Sequence, residues 1–205
     1  MAAASLAEAE RRRGPASTEK DDIVSKLVSV LATLVLLLLP GADLAAQTKS
    51  PGAGPVVVLE TAKGTIQFET YPEEAPKTVA RILELVKKGF YNGLRFHRAE
   101  PKFLVQIGDP GTRDMSRQAY WGGGGSGKPI GVSEITKKRR HVRGAVAMAY
   151  AGRNPRSADS QFYIVLRPTP ELDARYTVFG RVISGIEVVD RIQRTDVLKK
   201  ASVKE

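Results

Sequence analysis

Short apolar runs separated by glycine, proline and aspartate recur along the chain from about residue 56 onward. β-Branched and aromatic residues dominate these runs, a composition that is typical of β-strands. In the second run Ile66 and Phe68 alternate with Gln67 and Glu69, which predicts a half-buried strand that forms a hairpin with the first run. The eight predicted strands are 56–61, 65–71, 94–96, 103–107, 145–149, 162–166, 178–183 and 197–203.

Two further segments carry apolar residues at helical spacing. The first begins near Pro76 and ends before Gly89, with a proline and a glycine where a helix usually starts and stops. The second runs from Ile186 to Ile192. Many short strands with two helices predict a mainly β fold, a closed eight-stranded antiparallel β-barrel capped by two α-helices. Closure would pair the strand edges that are otherwise exposed.

The first 46 residues differ from the rest in composition. Residues 27–39 are thirteen uncharged, mostly apolar residues, fewer than the roughly 20 that span a bilayer but typical of a signal-peptide core. Pro40 and Gly41 end this core, and the small residues Ala45 and Ala46 suit cleavage after Ala46. We therefore predict export to the periplasm or another extracytoplasmic compartment. Contact with a membrane is expected only through this segment, if it stays uncleaved.

The stretch upstream of the apolar core is unusually long for a signal peptide. Its arginines are offset by acidic residues, and only Lys26 lies next to the core. Our hypothesis is that the true start lies near Val24. Residues 47–55 are rich in proline and glycine and are predicted to be a linker, so the folded domain covers residues 56–205.

Composition excludes several kinds of site. The absence of cysteine rules out disulfides, thiolate zinc sites and a cysteine nucleophile, and two histidines leave little material for a metal centre. We expect no metal and no cofactor.

The net charge of +10 rises to +11 for residues 47–205, which hold 27 basic and 16 acidic residues. The densest cluster, Lys137 to Arg140 with Arg143, lacks interleaved aromatic residues. A solvated basic loop that attracts anionic envelope surfaces is therefore favoured, and nucleic acid is not expected as a partner.

Two catalytic motifs are only superficially matched. Residues 122–128 have the glycine and lysine spacing of a phosphate-binding loop, but Pro129 stands where a magnesium-binding hydroxyl belongs. A flexible surface loop is the better interpretation. Ser126 lacks the second glycine of a hydrolase nucleophile motif, and His97 lies within a predicted β region, where a structural hydrogen bond is expected of it.

Several separated blocks remain, and together they are specific. They are Phe96-His97-Arg98, Pro101, residues 103–110, Ala147-Met148-Ala149, residues 160–164, Leu172-Asp173 and Val178-Phe179-Gly180. In this order and spacing, over about residues 56–203, the chain resembles the cyclophilins, peptidyl-prolyl cis-trans isomerases, and in particular their exported bacterial type. The resemblance implies an eight-stranded antiparallel barrel with an active groove on the outer face of one sheet.

The same resemblance implies the site residues. The family's catalytic arginine falls on Arg98. Its substrate-binding positions fall on Phe103, Leu104, Gln106, Met148, Ala149, Tyr150, Ala151, Gln161, Tyr163, Leu172 and Tyr176. The partners implied are proline-containing unfolded or partly folded polypeptides, and we expect a monomer.

Rotation about an X–Pro bond faces a barrier of roughly 18–20 kcal/mol, because the amide nitrogen shares its lone pair with the carbonyl. A guanidinium aimed at that nitrogen would stabilise the twisted amide more than the planar one. Arginines stay protonated at any working pH, so this role does not require a shifted pKa. The alternative is a proline-peptide-binding chaperone module with little turnover.

Some positions depart from the best-known family pattern. Tyr163 stands in place of a phenylalanine, so its hydroxyl must find a partner, while Tyr176 replaces a histidine and Tyr150 an asparagine. Glu171 precedes Leu172 where cyclosporin-sensitive members carry tryptophan.

We predict weak cyclosporin binding, because a charged side chain cannot supply the apolar contact of the missing indole. Inhibition of the isomerase by titrated drug measures this. Inhibition at nanomolar cyclosporin would contradict the prediction.

Overall fold

The computed structural model describes residues 50–204. The predicted leader, its cleavage after Ala46 and the start near Val24 lie outside the described residues. Within residues 50–204 no helix combines the length and the apolarity that a bilayer crossing needs.

Eight strands form one antiparallel sheet. They are β1 (Val56–Thr61), β2 (Gly64–Thr70), β3 (Arg98–Glu100), β4 (Leu104–Ile107), β5 (Ala145–Met148), β6 (Phe162–Val165), β7 (Val178–Ser184) and β8 (Leu198–Lys204). Their order across the sheet is β3-β4-β6-β5-β7-β2-β1-β8. β1 and β2 form the predicted hairpin, with Leu59 opposite Ile66. The mainly β prediction and the number of strands are confirmed.

The prediction of a closed barrel is wrong, because the sheet is open and forms a half-barrel. β3 and β8 are its two edges, and an isolated bridge between Arg95 and Val197 is the ladder contact described between the segments that precede them. The predicted strand at 94–96 is displaced to Arg98–Glu100. Leu94 and Phe96 are fully buried, and the main chain of this segment is hydrogen-bonded to the start of β8 and the residues before it: Leu198 N–H donates to the Leu94 carbonyl at 2.8 Å and Phe96 N–H to the Asp196 carbonyl at 3.0 Å.

Two α-helices pack on the sheet, α1 (Pro76–Lys87) against β8 and α2 (Ile186–Arg191) against β2. The apolar stripe predicted for α1 is buried as expected. The residue before α1, Ala75, has no side-chain oxygen for a cap. Instead the Glu134 carboxylate accepts hydrogen bonds from the main-chain N–H groups of Lys77 and Thr78, at 2.9 and 2.8 Å.

Aromatic rings fill the interior of the half-barrel. Phe162 contacts Phe68, Tyr91 and Phe179, with ring centroids 5.5 to 6.1 Å apart in tilted or edge-on orientations. Each of these rings is essentially without solvent exposure. This arrangement lets large apolar surfaces pack while the ring edges meet the ring faces.

Strand alternation divides the middle of the sheet into two apolar faces. Val105, Val146 and Ile164 belong to the interior core, whereas Leu104, Ala147 and Tyr163 belong to a second buried cluster. Because successive side chains of a strand point to opposite faces, this second cluster lies on the outer face of the sheet.

Candidate active site

The outer-face cluster gathers side chains from strands and loops that are distant in sequence. Its buried members come from β4, β5, β6 and β7, and four partly buried residues pack over them. The buried set is Leu104, Ala145, Ala147, Tyr163, Val165 and Val178, and the covering set is Phe103, Ala149, Leu172 and Tyr176. Six predicted substrate-binding residues therefore share one apolar surface: Phe103, Leu104, Ala149, Tyr163, Leu172 and Tyr176.

Met148 does not join that surface, so its assignment to the pocket needs correction. Its side chain belongs to the interior core and is 1% exposed. In β5 Ala147 pairs with Tyr163, and Met148 pairs with Phe162. Because side chains alternate along the strand, Met148 faces inward when Ala147 and Ala149 face outward.

Arg98 lies at the edge of the apolar surface. It opens the edge strand β3, directly opposite Gln106 in β4. Its guanidinium carbon lies 5.5 Å from the centroid of the Phe103 ring, and its Nε donates a 2.7 Å hydrogen bond to Glu100. The Arg98 and Glu100 side chains are 43% and 50% exposed, so this pair is on the surface and not internal.

A second guanidinium, which sequence reasoning did not identify, lies near the same ring. The guanidinium carbon of Arg167 is 5.6 Å from the Phe103 centroid, and Arg167 pairs with Glu171 at 3.4 Å. The ring of Phe103 is thus close to two positive charges.

Two glutamines connect the apolar surface to the glycine-rich loop. The Gln106 amide donates a 2.9 Å hydrogen bond to the Gln161 side-chain oxygen. The Gln161 amide in turn donates to the carbonyls of Gly122 and Gly124, at 2.8 and 2.7 Å. Both predicted glutamines are brought together, and Gln161 also fastens the loop.

The glycine-rich loop is held in place by two carboxylates, one buried and one partly buried, which differs from the flexible loop expected from the sequence. Asp109 accepts hydrogen bonds from the main-chain N–H groups of Gly122 and Gly124. Asp159 accepts from the Gly127 N–H and from the Ser126 hydroxyl. A Cβ at Gly124 would lie 2.3 Å from the Asp109 carboxylate, so the close approach requires glycine there.

A cleft of about 230 Å³ lies between this loop and residues 149–151. It adjoins the apolar surface, with which it shares Ala149. Its lining is Gln106, Gly122, Gly123, Gly124, Gly125, Ala149, Tyr150, Ala151, Ser157, Asp159, Ser160 and Gln161.

The Tyr163 hydroxyl has the partner that its position demands. It lies 2.9 Å from Nε2 of His141, whose Nδ1 lies 3.0 Å from Asp173. The carboxylate of Asp173 can only accept, so Nδ1–H donates a hydrogen bond to it, and Nε2 accepts a hydrogen bond from the tyrosine hydroxyl. Burial raises the pKa of Tyr163, which keeps this hydroxyl protonated. The relay joins β6 to the segment that carries Leu172.

Tyr176 and Tyr150 complete the aromatic wall. The Tyr176 ring lies 5.8 Å from Tyr163 and 4.9 Å from Tyr150, measured between centroids. The Tyr150 hydroxyl donates to the Arg175 carbonyl at 2.9 Å. Neighbouring Ala151 is exposed and lines the cleft.

A family model described as cyclophilin type peptidyl-prolyl cis-trans isomerase/CLD matches residues 56–205. The chain belongs to the cyclophilin family. The resemblance to the cyclophilins is confirmed, and this cyclophilin is an enzyme of the peptidyl-prolyl cis-trans isomerase class.

Bacterial relatives share much of its sequence. A probable peptidyl-prolyl cis-trans isomerase of Brucella abortus is 41% identical over 151 residues, covering 72% of this chain and 76% of that protein. Peptidyl-prolyl cis-trans isomerase B of Bacillus subtilis is 42% identical over 139 residues, covering 67% of this chain and 90% of that protein.

Solved structures share the fold. A Cryptosporidium parvum cyclophilin type isomerase matches with a TM-score of 0.64 at 26% identity, covering 74% of this chain and 98% of its own. The same isomerase crystallised in the presence of the dipeptide Ala-Pro matches with the same TM-score and identity, covering 73% of this chain and 99% of its own.

His97 does not form the hydrogen bond expected of it. It is 8% exposed, and neither ring nitrogen has a partner of normal geometry among the described residues, although the Gln161 amide is near. The ring packs beneath Gly122 of the loop. Burial lowers the pKa of His97, and burial likewise lowers that of His141 against the opposing effect of Asp173.

The basic segment, Lys137 to Arg140 with Arg143, is largely paired with carboxylates. Lys138 and Arg139 both contact Glu74, and Arg143 binds Asp190 through two hydrogen bonds. The Arg139 guanidinium also lies 3.7 Å from the centroid of the Tyr71 ring. Much of the segment's charge is therefore used within the fold, which weakens the expectation that this loop recruits anionic surfaces.

The free energy of unfolding should fall on acidification from pH 7.5 to 5.5. A histidine whose pKa is depressed by folding binds its proton more readily in the unfolded chain, so stability is complete above about pH 6.5 and lost below it. The loss is at most about 1.4 kcal/mol per histidine for each pH unit below 6.5. Urea unfolding at several pH values measures this, and His97→Leu should flatten the profile. If the free energy of unfolding of the wild type stays level or rises on acidification, the lowered pKa values of the buried histidines are contradicted.

Proposed function

We propose that this cyclophilin accelerates rotation about X–Pro bonds of unfolded or partly folded polypeptides in its outer-face groove, with Arg98 as the catalytic residue. The observation that carries the proposal is the guanidinium of Arg98 beside Phe103, at the margin of a buried apolar surface. The structure of the Cryptosporidium parvum relative with Ala-Pro supports proline-containing peptides as the substrate class.

The apolar surface would receive the proline ring. Leu104 and Tyr163 form its floor at 2% and 3% exposure, and Phe103 and Leu172 stand over it. Burying a ring here removes apolar area from water and excludes water from the vicinity of the guanidinium. Exclusion of water strengthens the interaction of the guanidinium with the reacting amide.

Polar groups beside that surface would hold one flank of the peptide. The Gln106 amide and the main chain of residues 149–151 face a common cleft. Fixing one side of the X–Pro bond while the other side turns is the mechanical requirement of catalysis without a covalent intermediate. Ala149 N–H already donates to Gln161 within the fold, so Tyr150 and Ala151 are the main-chain partners we expect for substrate.

The guanidinium then acts on the twisted amide. As the bond turns, the nitrogen lone pair leaves conjugation and becomes a hydrogen-bond acceptor. A charged donor placed at that nitrogen gains strength only in this state, so it lowers the barrier and not merely the Michaelis constant. The Nη groups of Arg98 have no hydrogen-bond partner among the described residues and are available for this contact.

Replacing Arg98 with alanine should lower kcat/KM at least about tenfold, because the transition-state contact is lost. Arg98→Lys, which keeps the charge but not the planar fork, should recover only part of the rate. Line-shape or exchange NMR on an Ala-Pro peptide measures both without a coupled protease.

Arg191→Ala is the matched control, since it removes an arginine at the end of helix α2 whose guanidinium donates its described hydrogen bond to the Lys63 carbonyl at 3.1 Å. Equal rates for wild type and Arg98→Ala would contradict the catalytic role. Peptide binding without turnover by the wild-type protein would favour the chaperone alternative.

We further propose that the domain is delivered outside the cytoplasm by its N-terminal segment. The apolar core at residues 27–39 and the small residues before Gln47 support this proposal. The exported protein should have the mass of residues 47–205, as measured by intact mass spectrometry. A retained segment upstream of Ala46 would indicate an anchor, and a precursor peptide upstream of Val24 would contradict the late start.

A further inference from the structure

Glu100 shares one face of the edge strand with the catalytic arginine. The two residues are separated by Ala99 in β3, so strand alternation places both side chains on the outer face. Glu100 Oε1 accepts the hydrogen bond from Arg98 Nε at 2.7 Å. The described contact of the Glu100 side chain is with Arg98 alone, and the side chain is half exposed. Packing therefore does not explain why a glutamate occupies this position.

The atoms used in this pair leave the reactive end of the arginine available. Nε is the guanidinium nitrogen nearest the main chain, and the two Nη groups lie beyond it. A carboxylate on Nε therefore restrains the side chain without occupying the Nη groups. The second arginine–glutamate pair near Phe103 is different, because Arg167 contacts Glu171 through Nη2 and at the longer distance of 3.4 Å.

We propose that Glu100 is a positioning residue that holds the Arg98 guanidinium over the margin of the groove. The inference rests on the proposed catalytic role of Arg98. A free arginine samples many rotamers, and only some of them bring the Nη groups to the Phe103 side. Anchoring Nε reduces the number of accessible rotamers before substrate binds. The conformational entropy of the arginine is therefore already lost in the free enzyme and does not add to the barrier of the reaction.

The negative charge of Glu100 also reduces the field of the guanidinium, which opposes this benefit. The two effects are separable, because glutamine keeps an oxygen acceptor for Nε and removes the charge. Positioning as the dominant effect predicts that Glu100→Ala is slower than wild type, whereas Glu100→Gln is close to it. Dominance of the charge would make both variants faster.

The experiment measures kcat and KM by exchange NMR for the full-length protein with an Ala-Pro peptide. Glu100→Ala should lose three- to tenfold in kcat with little change in KM, and Glu100→Gln should recover at least half of that loss on a logarithmic scale. Asp190→Ala is the matched control on helix α2, where the carboxylate forms a 2.6 Å pair with Arg143 and the two side chains are about as exposed as those of Arg98 and Glu100. Thermal unfolding of each variant confirms that the fold is kept.

A double-mutant cycle with Arg98→Ala distinguishes positioning from a purely structural role of Glu100. It compares the effect of Glu100→Ala on the rate in the presence and in the absence of the Arg98 side chain. If Glu100 acts through Arg98, the pair Arg98→Ala and Glu100→Ala should be no slower than Arg98→Ala alone. Equal losses in both backgrounds, a Glu100→Ala rate at or above wild type, or no rescue by glutamine would each overturn the proposal. Failure of the proposed function is distinct, since Arg98→Ala would then be as active as wild type.

Discussion

Period-two alternation in β4, β6 and β5 is the constraint on which the groove depends. Three adjacent strands must present apolar side chains on both of their faces, one set for the interior and one for the groove. In β4 this means Val105 and Ile107 inward and Leu104 outward, with Gln106 at the polar margin. A slip of one residue in register would exchange the two faces and remove the groove while leaving the backbone pairing intact.

Carboxylates, and not further apolar contacts, secure the loops around this surface. Asp109 and Asp159 bind main-chain N–H groups of the glycine-rich loop, and Asp173 binds both the main chain and the ring of His141. Although burial opposes it, the hydrogen bonds from His141 lower the pKa of Asp173. Charged acceptors make stronger hydrogen bonds than neutral ones, so single residues can hold loops that contain little apolar material.

Positive charge serves two different purposes in this protein. In the basic segment, Arg139 is paired with the Glu74 carboxylate, and the two side chains are only 18% and 5% exposed, so this pair can stabilise the connection between its elements. At the groove, Arg98 and Arg167 are paired with glutamates but remain half exposed near Phe103. Exposed pairs contribute little to stability, so the stability of the fold does not explain these two pairs, whereas the proposed chemistry on a peptide would explain them.

The sequence by itself determined the element types, the hairpin, both helices and the family, because strand and helix periodicities and the separated blocks are local patterns. It also identified most of the outer-face residues through the resemblance. Four features were decided only by the tertiary structure: the open sheet, the inward orientation of Met148, the lack of a hydrogen-bond partner for the His97 ring among residues 50–204, and the fastening of the glycine-rich loop. Each depends on contacts between segments far apart in the chain: Arg95 with Val197, β5 against β6, and Asp109 with Gly124. Composition and spacing indicate which residues are able to contact one another, whereas the packing of the whole sheet determines which of these contacts form.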